Sequence, residues 1–231
     1  MKYLTAFCLL PSAYFFKEKG RMLKILIADD HPIVRQGLKQ ILSEEFEIEA
    51  LGEAQNSQEV LELVRKKNWD IVVLDITMPG RGGVDVLKDL KGQYPKLPVL
   101  ILSMHPEDQY AVRVLKAGAA GYLTKESVQD ELVKAIKKIL AGGKYVSPSL
   151  AEKMAFDLET KTEKPLHETL SDREYQVMLL IASGKTVSQI AEKLSLSVKT
   201  IDTYRTRILE KMKMKTNAEL MHYVIKNKLV E

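Results

Sequence analysis

Hydrophobic positions along the chain follow two regimes. Between Leu23 and Gly143, apolar runs of strand length alternate with segments in which apolar residues recur every three or four positions. The runs are Leu23–Ala28, Ile48–Ala54, Ile71–Leu74, Val99–Leu102 and Ala120–Leu123. Runs without polar alternation fit strands buried on both faces. The stripes between them predict helices. One starts at Pro32, a residue suited to a first turn, and buries Ile33, Val34, Leu38, Ile41 and Leu42 up to about Ser43. A second is capped by Asn56 or Ser57 and turns Val60, Leu61 and Val64 inward. Further helices are expected over Val84–Tyr94, over Glu107–Ala117 with Gly118 as stop, and over Val128–Leu140, closed by Gly142 and Gly143.

From Leu170 onward the strand signal disappears. Ser171 stands three residues before Glu174, the spacing of a capping box, and Val177, Met178, Leu180 and Ile181 follow at helical spacing up to Gly184. Thr186–Leu194 predicts a short helix, Ser195-Leu196 a turn, and Ser197 the cap of a third helix to about Met212. Thr216-Asn217 open a fourth, through Lys226. Two short helices joined tightly, the second leading into a longer one, is the helix-turn-helix arrangement.

Strand–helix alternation implies a parallel sheet covered on both faces and joined by right-handed crossovers. The expected fold is therefore α/β, a flavodoxin-like doubly wound (βα)5 domain of strand order 2-1-3-4-5, followed by a small all-α four-helix domain. Residues 23–146 form the first unit and 168–231 the second. The stretch 147–167 reads as linker, with a short helix over Leu150–Leu158 and a charged, flexible run over Glu159–Lys164. Residues 1–22 read as an N-terminal extension. Leu4–Phe16 is apolar but too short to span a bilayer and lacks a good secretory cleavage site. The native start is expected at Met22, the alternative being a membrane-associated segment.

Composition changes the picture only slightly. The chain has 231 residues, a net charge of +4, one cysteine and four histidines without metal-ligand spacing. A disulfide framework and a cysteine metal cluster are excluded, and a reducing, cytoplasmic setting fits. The charge is unevenly placed. Between Ser197 and Lys215 there are six basic residues (Lys199, Arg205, Arg207, Lys211, Lys213, Lys215) against two acidic ones (Asp202, Glu210), a local excess equal to that of the whole chain. Such a helix suits a DNA groove, although a solvated charged face is the commoner meaning of such a run.

The expected strand order gives the first domain its chemistry. It brings the ends of strands one, three, four and five to one rim, and those ends carry Asp29-Asp30, Asp75, Ser103 and Lys125. Taken singly, each has an ordinary reading: Asp75 a turn cap, Asp29-Asp30 a helix-start charge pair, Ser103 a rim residue, Lys125 a solvated charge. Together they form a constellation. Three gathered carboxylates repel one another unless a cation joins them, and oxygen-only ligands suit Mg2+. A carboxylate beside the ion can attack a phosphoryl group, while an ammonium and a hydroxyl neutralise the equatorial oxygens. His31 is read as a helix-start residue rather than an acid or base.

Leu26–Pro32 (LIADDHP), Leu74–Gly83 (LDITMPGRGG) and Gly118–Lys125 (GAAGYLTK) resemble the receiver domain of bacterial two-component response regulators. The D-x-x-M-P-x-x-x-G pattern from Asp75 to Gly83 is the most specific piece. The resemblance implies that Asp75 accepts phosphate from a sensor histidine kinase. Asp30 and Asp75 would bind Mg2+, with Asp29 directly or through water and Thr77 through its backbone carbonyl. Ser103 and Lys125 would contact the phosphoryl group, and Tyr122 would be the switch aromatic beside Ser103. Glu126 departs from the pattern, since many receivers have proline after the lysine.

The second unit resembles the LuxR-type DNA-binding domain through LSDRE (Leu170–Glu174), IASG (Ile181–Gly184), QIA (Gln189–Ala191) and SVKTIDTYRTRI (Ser197–Ile208). That resemblance implies a phosphorylation-dependent transcription factor of the NarL/FixJ kind. It would not be an enzyme beyond its own phosphoryl chemistry, and it would bind double-stranded operator DNA as a homodimer paired through the last helix. DNA contacts are expected from Lys199, Thr200, Thr203, Tyr204, Thr206, Arg207 and Lys211. The family often has lysine at the place of Asp202 and histidine at that of Tyr204, so base-reading residues are less defined than phosphate contacts. Two rivals stand beside this reading. A haloacid-dehalogenase-like phosphatase would need a second acid where Thr77 stands, and a protein-binding tail would not touch DNA.

Overall fold

In the computed structural model, which describes residues 22–78, 82–105, 107–159, 165–227 and 229–230, the apolar runs become strands β1 (Leu23–Ala28), β2 (Ile48–Ala54), β3 (Ile71–Asp75), β4 (Val99–Ser103) and β5 (Gly121–Thr124). They pair in parallel in the order β2-β1-β3-β4-β5, as the alternation predicts. Helices α1 (Pro32–Glu45), α2 (Ser57–Lys66), α3 (Gly83–Gln93), α4 (Glu107–Lys116) and α5 (Val128–Leu140) connect and follow them.

The pleat sorts each strand between two cores. Leu26, Val72, Leu74, Val99 and Ile101 pack with Val60, Val64, Leu87, Leu90 and Val114 of α2, α3 and α4. Ile25, Ile27, Ile71, Val73, Leu100 and Leu102 pack with Leu38, Leu42, Leu132 and Ile136 of α1 and α5. Each such side chain contributes about 1.5–3 kcal/mol on leaving water. Every residue of β3 is fully buried, including Asp75 at its end. The centre of the sheet therefore offers a carboxylate no water of its own.

Gly83, the last residue of the D-x-x-M-P-x-x-x-G pattern, has a steric reason. Its N–H donates to the Ile76 carbonyl at 3.1 Å, bringing the first turn of α3 onto the backbone beyond β3. A Cβ there would lie 2.5 Å from Ile76 Cα and 2.8 Å from the Asp75 carbonyl oxygen. Expectations for Pro79, Gly80 and Arg81 within that loop lie outside the described residues, as do those for residues 1–21.

The C-terminal unit begins with a 3-10 turn (Leu166–Thr169) and continues as α7 (Asp172–Ala182), α8 (Val187–Lys193), α9 (Val198–Lys211) and α10 (Asn217–Lys226). The Ser171–Glu174 capping box is formed. A second one, Thr186–Gln189, opens α8, and Ser197 and Thr216 cap α9 and α10. Val177, Met178, Ile190, Ile201, Ile208, Met212, Leu220 and Val224 close a single core. Between the two units, α6 spans Pro148–Glu159, longer than the Leu150–Leu158 expected. Ser147 extends it by accepting the Leu150 N–H at 3.1 Å, with Pro148 at its first turn. Glu159 of the expected flexible run belongs to this helix, and residues 160–164 lie outside the described residues.

The two units touch through α4 and α7. Arg113 of α4 pairs with Asp172 at 3.1 Å and donates to the carbonyls of His167 (3.2 Å) and Leu170 (3.0 Å). Its guanidinium lies 4.5 Å from the Tyr175 ring centre. Tyr110 meets the same ring edge-on at 5.2 Å. Lys88 of α3 pairs with Asp172 at 2.5 Å, and Lys116 with Glu168 at 3.6 Å. Replacing Gly83 with Ala should destabilise the chain by about 1–3 kcal/mol, the usual range for overpacking. Urea unfolding checks this, and a change below 0.5 kcal/mol, the range of ordinary surface substitutions, would contradict the steric reading.

Candidate functional site

The rim at the carboxyl ends of the strands gathers the residues the strand order predicts. Lys125, just past β5, reaches Asp75 Oδ2 at 2.8 Å and Asp29 Oδ2 at 2.6 Å. Asp75 Oδ1 accepts the Thr77 N–H at 3.0 Å and its hydroxyl at 2.9 Å. Thus the turn after β3 folds back on its own acid, and Thr77 contributes a side chain as well as backbone. Asp29 is buried beside them and accepts the His31 N–H at 2.8 Å. Its main-chain carbonyl takes a bond from buried Arg35 at 2.8 Å, and Arg35 in turn pairs with Glu53 at 3.1 Å.

Burial opposes the charge on Lys125, but the Asp75 and Asp29 carboxylates outweigh it and raise its pKa above the ordinary lysine value. The ammonium therefore stays protonated through the neutral range. An isolated buried anion costs several kcal/mol, so Asp75 depends on this pairing.

Ser103 and Tyr122 hold the backbone of His105 between them. The Ser103 hydroxyl accepts the His105 N–H at 3.0 Å, and the Tyr122 hydroxyl donates to the His105 carbonyl at 2.7 Å. The His105 ring stacks on Tyr110 at 4.8 Å. Burial, reinforced by Lys193 and opposed by Asp75, holds this imidazole below its usual pKa. Tyr110 then meets Tyr175 of α7, so an unbroken run of contacts leads from the rim to the helical unit. Nothing in the apolar pattern announces this run, because its members belong to separate elements.

Asp29, Asp30, His31 and Asp75 each offer one ligand atom, all within 4.8 Å of one another. Two buried carboxylate oxygens face the pocket: Asp29 Oδ2, 2.6 Å from the Lys125 ammonium, and Asp30 Oδ1, 2.8 Å from His31 Nδ1. Carboxylate oxygens gathered from three acids are what a divalent cation requires, so the donor set fits one. His31, expected only to start a helix, does stand at the start of α1, but its ring faces the pocket.

On α9 the expected DNA contacts share one side. Lys199, Thr203, Thr206 and Arg207 are exposed, and Thr200 and Tyr204 are half-buried. Lys211 is exposed too, but its ammonium pairs with buried Glu174 at 2.6 Å and locks α9 to α7. Arg205 donates to Asn217 at 2.7 Å and ties α9 to α10. Among the described residues no helix is long and apolar enough to cross a membrane.

Comparison with known proteins agrees with this geometry. Residues 25–137 match the response regulator receiver domain family, and residues 168–224 the bacterial regulatory proteins of the luxR family. The response regulator GacA of Pseudomonas aeruginosa is 35% identical over 91% of this chain and 99% of its own length. The response regulator UvrY of Escherichia coli K12 is 35% identical over 90% and 96%. Among solved structures, RcsB from Salmonella enterica serovar Typhimurium, bound to the promoter rprA with the phosphomimetic BeF3-, is 27% identical with a TM-score of 0.63, covering 88% of this chain and 98% of that one. An acid-lined receiver rim and a capped helix-turn-helix in one chain thus have a single description: the protein is a two-component response regulator with a LuxR-family DNA-binding output domain, and not a metabolic enzyme.

Proposed function

We propose that Asp75 is the phosphoacceptor, that a sensor histidine kinase is the donor, and that the acidic pocket holds Mg2+ during transfer. The observation that carries this reading is Asp75 itself, fully buried at the end of the central strand yet paired with Lys125 and adjoining two further acids. An Asp75 oxygen attacks phosphorus, the nitrogen–phosphorus bond of the donor phosphohistidine breaks, and the imidazole leaves. Asp30 and Asp75, with Asp29 and the Thr77 carbonyl, would hold the ion, which neutralises phosphoryl charge. Lys125 stays cationic and meets the same oxygens from the other side.

Ser103 supports a route outward. When its hydroxyl turns to the phosphoryl group, the His105 N–H loses its acceptor. At His105 the loop leading into α4 is then held by Tyr122 alone. α4 carries Tyr110 and Arg113, the two residues seated on Tyr175. Phosphorylation thereby shifts the population from the docked arrangement to one in which two output domains pair through α10 and bind operator DNA. RcsB bound to promoter DNA with a phosphomimetic is the relative that favours this outcome.

Asp75→Asn should abolish labelling by acetyl phosphate or a kinase while leaving the circular dichroism unchanged; full labelling of a folded variant contradicts the assignment. Arg113→Ala removes the guanidinium from Asp172, two carbonyls and Tyr175. It should shift the docked equilibrium by about 1–3 kcal/mol, roughly 5–150-fold. Small-angle scattering would then show a larger radius of gyration without phosphorylation, and an unchanged profile speaks against the latch. Arg207→Ala should weaken DNA binding on all sequences and lower the salt slope by about 1, whereas an unchanged slope removes it from the phosphate contacts.

A further inference from the structure

The inward stripe of α1 opens on a charge. Its buried residues are Arg35, Leu38 and Leu42, spaced as one face of a helix, and Arg35 is only 6% exposed. Packing alone asks for an apolar side chain there, since well-packed apolar residues often replace a buried ion pair at no cost in stability. The guanidinium is forked between two partners. Nη1 donates to the main-chain carbonyl of Asp29 at 2.8 Å, and Nε donates to Glu53 Oε2 on β2 at 3.1 Å. Lys39 holds the other Glu53 oxygen at 2.6 Å. Lys39 first, with Arg35 adding to it against burial, keeps the Glu53 carboxyl below the usual carboxylate range. The anchor of the fork is therefore charged at neutral pH.

The carbonyl that Arg35 grips belongs to the peptide joining Asp29 to Asp30. A peptide is planar, so holding its oxygen also holds the nitrogen and Cα from which the Asp30 side chain starts. β1 ends at Ala28, and the Asp29 N–H still reaches the Ala54 carbonyl at 3.1 Å, but Asp30 lies beyond both. We infer that Arg35 is a positioning residue for the cation site: it sets the plane of the Asp29–Asp30 peptide and so directs the Asp30 carboxylate, without itself touching the ion or the phosphoryl group. The inference rests on the proposed reading that the pocket holds Mg2+. That ion demands near-ideal octahedral geometry, so its affinity depends on the direction of each ligand. A lysine at this place would keep the charge but lose the planar fork that reaches both partners.

The test uses the full-length chain, with calorimetry for Mg2+ binding before phosphorylation and urea unfolding for stability. Arg35→Met fills the stripe without the fork, and Arg35→Lys keeps only the charge. Each should stay folded and bind Mg2+ about tenfold or more weakly, the scale of losing a partner that orients a metal ligand. Electrostatics alone gives Arg35→Met the opposite sign, because removing a cation beside three acids strengthens cation binding. Lys39→Ala strips the outer pair and leaves the fork, so its Mg2+ affinity should stay within about twofold of wild type, the change expected when no orienting partner is lost. With acetyl phosphate, both Arg35 variants should need more Mg2+ for half-maximal labelling yet approach the wild-type rate at saturating Mg2+. Wild-type Mg2+ affinity in a folded Arg35 variant overturns the inference. An equal loss in Lys39→Ala also overturns it, since that marks the general charge of α1 and β2, and unfolding of both Arg35 variants does so by marking a purely structural group. If the wild-type chain binds no Mg2+, or Asp30→Asn binds it as tightly, the cation reading itself fails and the inference falls with it.

Discussion

The pairing of Asp75 with Lys125 is the constraint around which the receiver is arranged. A carboxylate at the end of a fully buried strand has lost its water, and isolation would make its charge cost several kcal/mol. The chain answers with an ammonium delivered from the end of β5, two strands away, and with the amide and hydroxyl of Thr77. The strand order meets this demand. A sheet in which β5 lay beside β2 would separate the two charges across its width.

The same rim is joined by contacts to the seam between the units. Ser103 and Tyr122 hold the two backbone groups of His105, one by accepting from its N–H and one by donating to its carbonyl. A change at either hydroxyl is felt by a loop whose histidine stacks on Tyr110, and Tyr110 is packed on the output domain. Coupling here needs no long-range displacement of the sheet. Under the proposed function it would need only that one hydrogen bond be exchanged for another at the base of α4.

Much of this was legible in the chain. The five strands, nearly every helix and the rim residues follow from apolar spacing and from where polar residues interrupt it. The Ser171–Glu174 cap was visible because a capping box is local, spanning four residues. What stayed hidden depends on meetings between distant elements. Arg113 reads as an ordinary charged residue on an amphipathic helix, and only the docking of α7 turns it into a hub for an acid, two carbonyls and a ring. Lys211 reads as one more cation for DNA, yet it neutralises Glu174 buried at the start of α7. His31 occupies the helix start its sequence suggests, while the direction of its ring is a matter of rotamer that spacing does not encode.

The docked arrangement leaves Lys199, Thr203, Thr206 and Arg207 facing solvent. A receiver folded over these side chains would keep the resting protein off the chromosome altogether. Here those side chains stay exposed, and if they contact DNA as proposed, counterion release would give them a weak, sequence-blind attraction to any duplex. Under the proposed function, unsignalled copies would scan duplex DNA, and the signal would have only to convert residents into pairs rather than recruit them from bulk solution.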